Sequence, residues 1–297
     1  MGAPRRILAA TDLSTKGNAA AWRGAELAAR HGAHLTLVHI LEDRRADRPI
    51  PDGGEPATTR DHASASALEG LAADLERATG VAARSHLHHG RPDRRIIMAA
   101  DEAGADLICI GAIGERDAEL GTVTARVVRE AHCPVLVLRR GAQEPVRSVL
   151  AASDLSEGAA AALTAAATLF PEAEFSLAHV VDTWQEDRAR TAGVAEAEVE
   201  RQHNATVAAA REELGRWAQG CASGALNPHL LVRAGDPRLV LRRLLSQYQP
   251  DVTAVGASGR HGVERLLLGS TATDCLRHAP GDVLVSGATA ENREEET

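Results

Sequence analysis

The run Gly256-Ala-Ser-Gly259-Arg-His-Gly-Val-Glu-Arg-Leu-Leu-Leu-Gly269-Ser270-Thr271 spaces its glycines as G, two residues, G, nine residues, G, followed by two hydroxyl side chains. That spacing suits an anion. Glycines let backbone N–H groups approach a phosphate closely, and Gly269, Ser270 and Thr271 offer free N–H groups and hydroxyls where an amphipathic helix begins. Arg260, His261 and Arg265 add positive charge inside the loop. No GK[ST] follows and no GxGxxG is present, so this is neither a Walker A loop nor the dinucleotide fingerprint. A glycine-rich strand-to-helix loop also arises for purely structural turns. The second candidate is Asp154, within Ala-Ala-Ser-Asp-Leu-Ser, whose carboxylate suits nucleoside hydroxyls or a base amino group. The same residue also reads as a helix N-cap or turn residue.

What must position these groups follows from an internal repeat. Arg6-Ile-Leu-Ala-Ala-Thr-Asp-Leu-Ser14 matches Ser148-Val-Leu-Ala-Ala-Ser-Asp-Leu-Ser156, and four further blocks recur in the same order. Leu37-Val-His39 matches Leu177-Ala-His179, and His89-Gly90-Arg-Pro92 matches Ala234-Gly235-Asp-Pro237. Asp106-Leu-Ile-Cys-Ile-Gly111 matches Asp251-Val-Thr-Ala-Val-Gly256, and Pro-Val-Leu-Val137 matches Asp-Val-Leu-Val285. Duplication explains this; chance does not. Short β-branched and Leu-rich runs alternate with Ala-rich stretches of helical period in each copy. Strands are expected near 5–10, 34–41, 81–88, 106–110 and 134–138, then 148–152, 174–181, 229–233, 251–255 and 282–286. Helices are expected near 15–31, 58–78, 91–103 and 122–131, with the first helix of the second copy running from Ser156 to before Pro171. Such alternation implies βαβ units, right-handed crossovers and a parallel sheet covered on both faces. In an open sheet of this kind the first and fourth strands flank the crevice where ligands bind, so Asp154 and Gly256 should line one site.

The first copy keeps Asp12 but alters the loop. Only six residues separate Gly114 from Gly121, and they include Glu115, Asp117 and Glu119 against the single cation Arg116. Carboxylates repel a triphosphate most in a desolvated pocket. The first copy is therefore expected to bind nucleotide poorly or not at all, and to persist as a structural half.

The totals bound the rest. A chain of 297 residues holds two domains at about 150 residues each. Aromatic residues are 2% of the chain, so the cores must be built from Ala, Val, Leu and Ile. The net charge of -8 offers no broad basic surface, which argues against nucleic acid as a partner. Cys109, Cys133, Cys221 and Cys275 show no CxxC spacing and read as packed or idle thiols of a reducing compartment. The apolar run 7–10 is too short for a signal peptide and no window approaches 18 apolar residues, so a cytoplasmic protein without a membrane span is expected. Composition marks 43–57, 140–147 and the acidic tail 289–297 as loose segments, with domains over 1–143 and 144–288.

Other chemistry-bearing residues have structural readings. His86, His88 and His89 lack a cysteine or carboxylate at ligand spacing and read as a polar-faced strand end rather than a metal site. His39 and His179 occupy matching strand ends and serve the fold. Ser14 and Ser156 lack a Gly-x-Ser-x-Gly elbow, so nucleophilic catalysis is not supported. The arginines of 91–95 and the pair Arg242-Arg243 read as solvated helix faces.

Taken together, the glycine loop, the aspartate after the first strand and the closing Arg-His-Ala-Pro block resemble the universal stress protein family in its tandem form, over nearly the whole chain. The resemblance implies an α/β fold of two tandem Rossmann-like domains, each a five-stranded parallel sheet of order 3-2-1-4-5 with helices on both faces. It implies ATP or a related adenine nucleotide with magnesium, held by Asp154 at the nucleoside, Val180 at the base, and Gly256, Gly259, Arg260, Gly269, Ser270 and Thr271 at the phosphates. It implies a regulatory stress-response role with slow or no hydrolysis. One position departs: where many members carry a second hydroxyl, this chain has Ala272. The alternatives are a nucleotide-free interaction module and an enzyme, although no SGGxDS loop is present. The two copies are expected to face each other as an intrachain pseudo-dimer, since each fifth strand otherwise leaves an open edge, and a homodimer of chains is a further expected form.

Overall fold

The computed structural model describes residues 2–42, 59–112, 121–141, 145–182, 188, 191–221, 226–258 and 268–287. The chain divides into two compact units, 2–145 and 146 onward. The loose segment 43–57 and the tail 289–297 lie outside the described residues.

In the first unit the strands are β1 (Arg6–Thr11), β2 (His34–Glu42), β3 (Ala83–Gly90), β4 (Leu107–Gly111) and β5 (Val135–Leu138). They alternate with α1 (Thr15–His31), α2 (Thr59–Thr79), α3 (Pro92–Ala103) and α4 (Thr122–Glu130). Every pairing is parallel and the order is β3-β2-β1-β4-β5. The second unit repeats this with β6 (Ser148–Ser153), β7 (Glu174–Val181), β8 (His229–Ala234), β9 (Val252–Gly256) and β10 (Asp282–Ser286). Its helices are α5 (Glu157–Leu169), α6 (Glu196–Cys221), α7 (Pro237–Tyr248) and α8 (Ser270–His278), and its order is β8-β7-β6-β9-β10.

The central strands are buried along nearly their whole length, as a sheet covered on both faces demands. Helix α5 shows how an aromatic-poor chain builds a core. Its buried face is Gly158, Ala159, Ala162, Leu163, Ala165, Ala166 and Leu169, small enough for the helix to lie close to β9 and β6. By contrast α6 buries only Val199, Ala210, Leu214 and Ala218, and owes its length to an Ala-, Glu- and Arg-rich composition that favours helix.

Two repeated motifs are explained by the fold. Gly90 and Gly235 take φ of 130° and 133°, a conformation that L side chains rarely adopt, and Pro92 and Pro237 open the following helices at their first turn. Asp106 and Asp251 lie at the opposite end of the sheet from Asp12 and Asp154. Their carboxylates accept the backbone N–H groups of Arg5 and Arg6 in one copy and of Arg147 and Ser148 in the other, fastening the fourth strand to the first. Among the described residues no helix is long and apolar enough to cross a membrane.

Candidate functional site

The site begins with a turn that both copies build identically. After β6, Leu155 sits at φ 65°, and after β1, Leu13 does the same. A bulky residue in that region is strained by about 1–3 kcal/mol and persists only where its surroundings enforce it. Here the Leu155 N–H donates to Ser153 Oγ (3.0 Å), and the N–H and hydroxyl of Ser156 both donate to Asp154 Oδ1 (3.1 and 2.5 Å). Ser156 in turn accepts from the Ala159 N–H (3.2 Å) as the N-cap of α5. The first copy repeats each bond through Thr11, Asp12, Ser14 and Gly17. Of the structural readings of the aspartate, the turn is the one present: Asp154 Oδ1 holds the turn, while the helix cap is Ser156. His179 Nδ1–H donates to Ser153 O (2.8 Å) and His39 Nδ1–H to Thr11 O (2.9 Å), so these histidines steady the strand end before the aspartate.

Gly256 ends β9 beside this turn, since β6 and β9 are paired neighbours. A Cβ on Gly256 would meet Gly158 C at 2.8 Å and Ala159 N at 2.9 Å, and one on Gly158 would meet Ser258 O at 2.9 Å. Backbone packs directly on backbone here, so Gly256 is needed for helix–strand approach whatever it does for a ligand. Sequence reading missed Gly158, whose counterpart in the first copy is Lys16, so the repeat carries no signal for it.

The loop closes on itself. Gly269 N–H donates to Ala257 O (2.8 Å), which holds Gly269 one residue from Gly256. Gly269 is the N-cap of α8, and among the described residues no side chain caps that helix. Ser270 is exposed and Thr271 half-buried. Val180 lies inside β7, paired with Arg233 and one residue beyond the His179–Ser153 pair. The contacts thus bring Asp154, Val180, Gly256, Gly269, Ser270 and Thr271 to one end of the sheet. Gly259 and Arg260 lie outside the described residues.

The first copy closes its loop the same way, Gly121 N–H to Ala112 O at 3.0 Å, and among the described residues α4 likewise has no side-chain cap. Thr124, the counterpart of Ala272, donates its hydroxyl to Gly111 O at 2.7 Å. In the first copy that hydroxyl straps the glycine strand end. Ala272 is 1% exposed, so the second copy replaces the strap with packing.

Elsewhere, Arg91 and Arg242 keep much of their side chains in solvent but also carry ion pairs that the sequence reading did not anticipate. Arg91 and Arg126 both donate to Asp93, at 3.0 and 2.8 Å, joining α3 to α4. Burial alone would raise the Asp93 carboxyl, but the Arg126 and Arg91 guanidiniums outweigh it and hold it at about 2. In the second copy the polarity is inverted: Arg242 on α7 chelates Asp274 on α8 and lowers its carboxyl. His88 accepts from Arg95 at Nδ1 (2.9 Å) and stacks on His86, and burial followed by the Arg95 charge lowers its pKa. Burial pushes the Cys133 and Cys275 thiols up to about 12.

The doubly wound topology, with a carboxylate turn and a helix N-terminus meeting at the switch point, defines a tandem α/β protein of Rossmann-like fold. The sequence pattern of the universal stress protein family matches residues 4–139 and again residues 145–286, and the chain belongs to that family. A universal stress protein of Thermus aquaticus is 36% identical over 152 residues, covering 46% of this chain and 98% of that protein. A universal stress protein of Archaeoglobus fulgidus has a crystal structure that superposes at a TM-score of 0.65 and 19% identity, covering 95% of this chain and 98% of that one. A universal stress protein solved in complex with cAMP matches one copy at 23% identity and a TM-score of 0.38, covering 46% of this chain and 99% of that one.

Proposed function

We propose that the second copy binds an adenine nucleotide, ATP with magnesium on its phosphates, and that occupancy rather than turnover is what this stress-response protein uses. Asp154 takes the nucleoside hydroxyls and the Val180 backbone takes the base. The α8 N-terminus at Gly269, Ser270 and Thr271 takes the phosphates, with Gly256, Gly259 and Arg260 on the other arm of the loop. The observation that carries this reading is the start of α8, which no side chain caps among the described residues, pinned by the Gly269–Ala257 hydrogen bond beside the Asp154 turn. Amides at a helix N-terminus attract anions. The loop also has the right sign: Arg260 and Arg265 against Glu264 make residues 260–268 net +1 with His261 neutral.

The test is to denature the purified chain and quantify released nucleotide, before and after loading with ATP. One nucleotide per chain, lost in Gly269→Val, is the expected result. Two per chain would place a nucleotide in the first copy and overturn its exclusion. No retention at millimolar ATP would leave the nucleotide-free interaction module as the better reading. Steady phosphate release that Gly259→Val abolishes would make the protein an ATPase.

A further inference from the structure

Under the proposed reading the phosphates rest on the first turn of α8, so whatever aims that turn shapes the site. Helix α8 has nine residues and buries only Ala272, Asp274, Cys275 and Leu276. A helix that short is not stable in isolation, and its direction is set by what holds it. In the first copy the equivalent helix is tied to the sheet by the Thr124 hydroxyl on Gly111 O (2.7 Å), a bond that Ala272 cannot make. The second copy carries its polar tie two residues further on, at Asp274.

Asp274 is 8% exposed, and one guanidinium takes both of its oxygens. Arg242 Nε donates to Oδ1 (3.0 Å) and to Oδ2 (2.8 Å), and a second nitrogen of the same group donates to Oδ1. A pair of this kind fixes the plane of the carboxylate as well as its distance. Arg242 has a firm base on α7. The buried Leu241, Leu244 and Leu245 seat that helix against β7 and β8, and Asp236 caps its start through the Arg238 and Leu239 N–H groups (2.9 and 3.1 Å). At the far end of α8, His278 Nδ1–H donates to Asp274 O (3.0 Å), which ties the last turn to the same residue.

The clasp also settles a charge. Asp274 lies four residues from Ser270, about 6 Å along the axis, so an unpaired carboxylate there would oppose an anion at the start of its own helix. Arg242 cancels it. The first copy meets the same requirement with the signs exchanged: Arg126 occupies the position that matches Asp274 and donates to Asp93 of α3 (2.8 Å). We infer that Arg242 and Asp274 are positioning residues for the anion-binding end of the second copy, their clasp setting the direction of α8 and removing an opposing charge from behind its first turn. The effect on ATP rests on the nucleotide reading of that end; the effect on the helix does not.

Three variants of the full chain test it, each followed by equilibrium dialysis with labelled ATP and by hydrogen exchange. Arg242→Gln leaves the carboxylate without its cation and should weaken ATP retention about tenfold or more. Asp274→Asn loosens the helix but also removes the charge, so about threefold is expected. The reversed pair, Arg242→Asp with Asp274→Arg, should return to within about twofold of the native chain. Exchange should quicken at Thr273, whose N–H donates to Gly269 O (2.9 Å), and at residues 274–276 in both single variants, and recover in the reversed pair. Protection in β6 and β9 should stay native throughout. ATP retention unchanged in Arg242→Gln, or a reversed pair no better than the single variants while β6 and β9 stay protected, overturns the positioning role. So does a loss of protection spread over β6 and β9 with retention unchanged in the folded fraction, which marks a clasp that only stabilises the unit. Equal losses of ATP in Arg242→Gln and Asp274→Asn overturn the charge half of the inference. If the native chain retains no ATP, the nucleotide reading falls and exchange alone decides: quickening at 273–276 that the reversed pair repairs upholds the clasp, and unchanged exchange removes it.

Discussion

The two copies agree at the aspartate and part company at the glycine loop. Around Asp12 and Asp154 the same strained leucine, the same serine cap and the same histidine-to-carbonyl bond recur, with distances that differ by at most 0.2 Å. Beyond β4 and β9 the loop length, its charge, the residue at 124 and 272, and the polarity of the helix–helix ion pair all change. The turn is the same in both copies, whereas the loop after the fourth strand differs in length and charge. Constraint is therefore local: one end of the crevice is held, the other is free to diverge.

The largest test of that contrast is Gly256→Ala. Its Cβ would strike the backbone of Gly158 and Ala159, which cannot swing aside, so we expect a loss of about 3 kcal/mol confined to the second unit. Gly17→Ala, at the first-copy position that matches Ala159, is the contrast. There the clash is chiefly with the Asp12 carboxylate at 2.0 Å, a side chain that can move, and the expected cost is about 1 kcal/mol with Asp12 displaced. Hydrogen exchange resolved by peptide separates the two units. Equal losses would mean that the two copies pack their first helices alike.

Next in size is the ion-pair clasp. Asp93 is 5% exposed between two guanidiniums, and Asp93→Asn should cost the first unit about 1.5 kcal/mol after allowance for the half-exposed arginines. Because its folded carboxyl titrates near 2, below the unfolded value of about 3.9, that stability is complete above pH ~4 and disappears as pH falls toward 2. Acid unfolding of the native chain followed in α3 and α4 should show this loss, and the Asn variant should lack it. A variant that keeps the native pH profile would remove Asp93 from the account.

These contrasts also mark what can be read without coordinates. Alternation of Ala-rich and β-branched runs is a property of each segment alone, so β1, β2 and α1 fall within a residue or two of expectation. Asp154 and Gly256 could be brought together because doubly wound sheets put the first and fourth strands side by side. Gly158 against Gly256, Thr124 on the Gly111 carbonyl, and Arg242 on Asp274 could not. Each depends on which residues meet across two elements, and in each the matching position of the other copy has changed type: Lys16 for Gly158, Ala272 for Thr124, Arg126 for Asp274. Repeats reveal what both copies keep and conceal what one has altered. The reverse error is also possible, since Asp106 and Asp251 recur as faithfully as Asp12 and Asp154 yet only tie strand starts together.

If the carboxylate turn belongs to the fold rather than to a ligand, its caps should be worth the same in both copies. Ser14→Ala and Ser156→Ala each remove one N-cap bond and should each cost about 1 kcal/mol, with or without adenine nucleotide present. A cap effect in the second copy that depends on added ATP would show that the ligand completes the turn, and would weaken the claim that this end of the crevice is invariant.

The smallest expected effect lies at the position where the copies chose differently between a hydroxyl and a methyl. Thr124→Val keeps the volume and removes the bond to Gly111 O, so the first unit should lose about 0.5–1 kcal/mol. The diagnostic result is spatial. Exchange should quicken at the end of β4 and the first turn of α4, the two elements the strap joins, and stay unchanged in β9 and α8, where Ala272 already lacks it. Were the loss spread evenly over both units, the strap would not be a device of the first copy, and the missing hydroxyl of Ala272 would return to being a defect in the second copy's phosphate site.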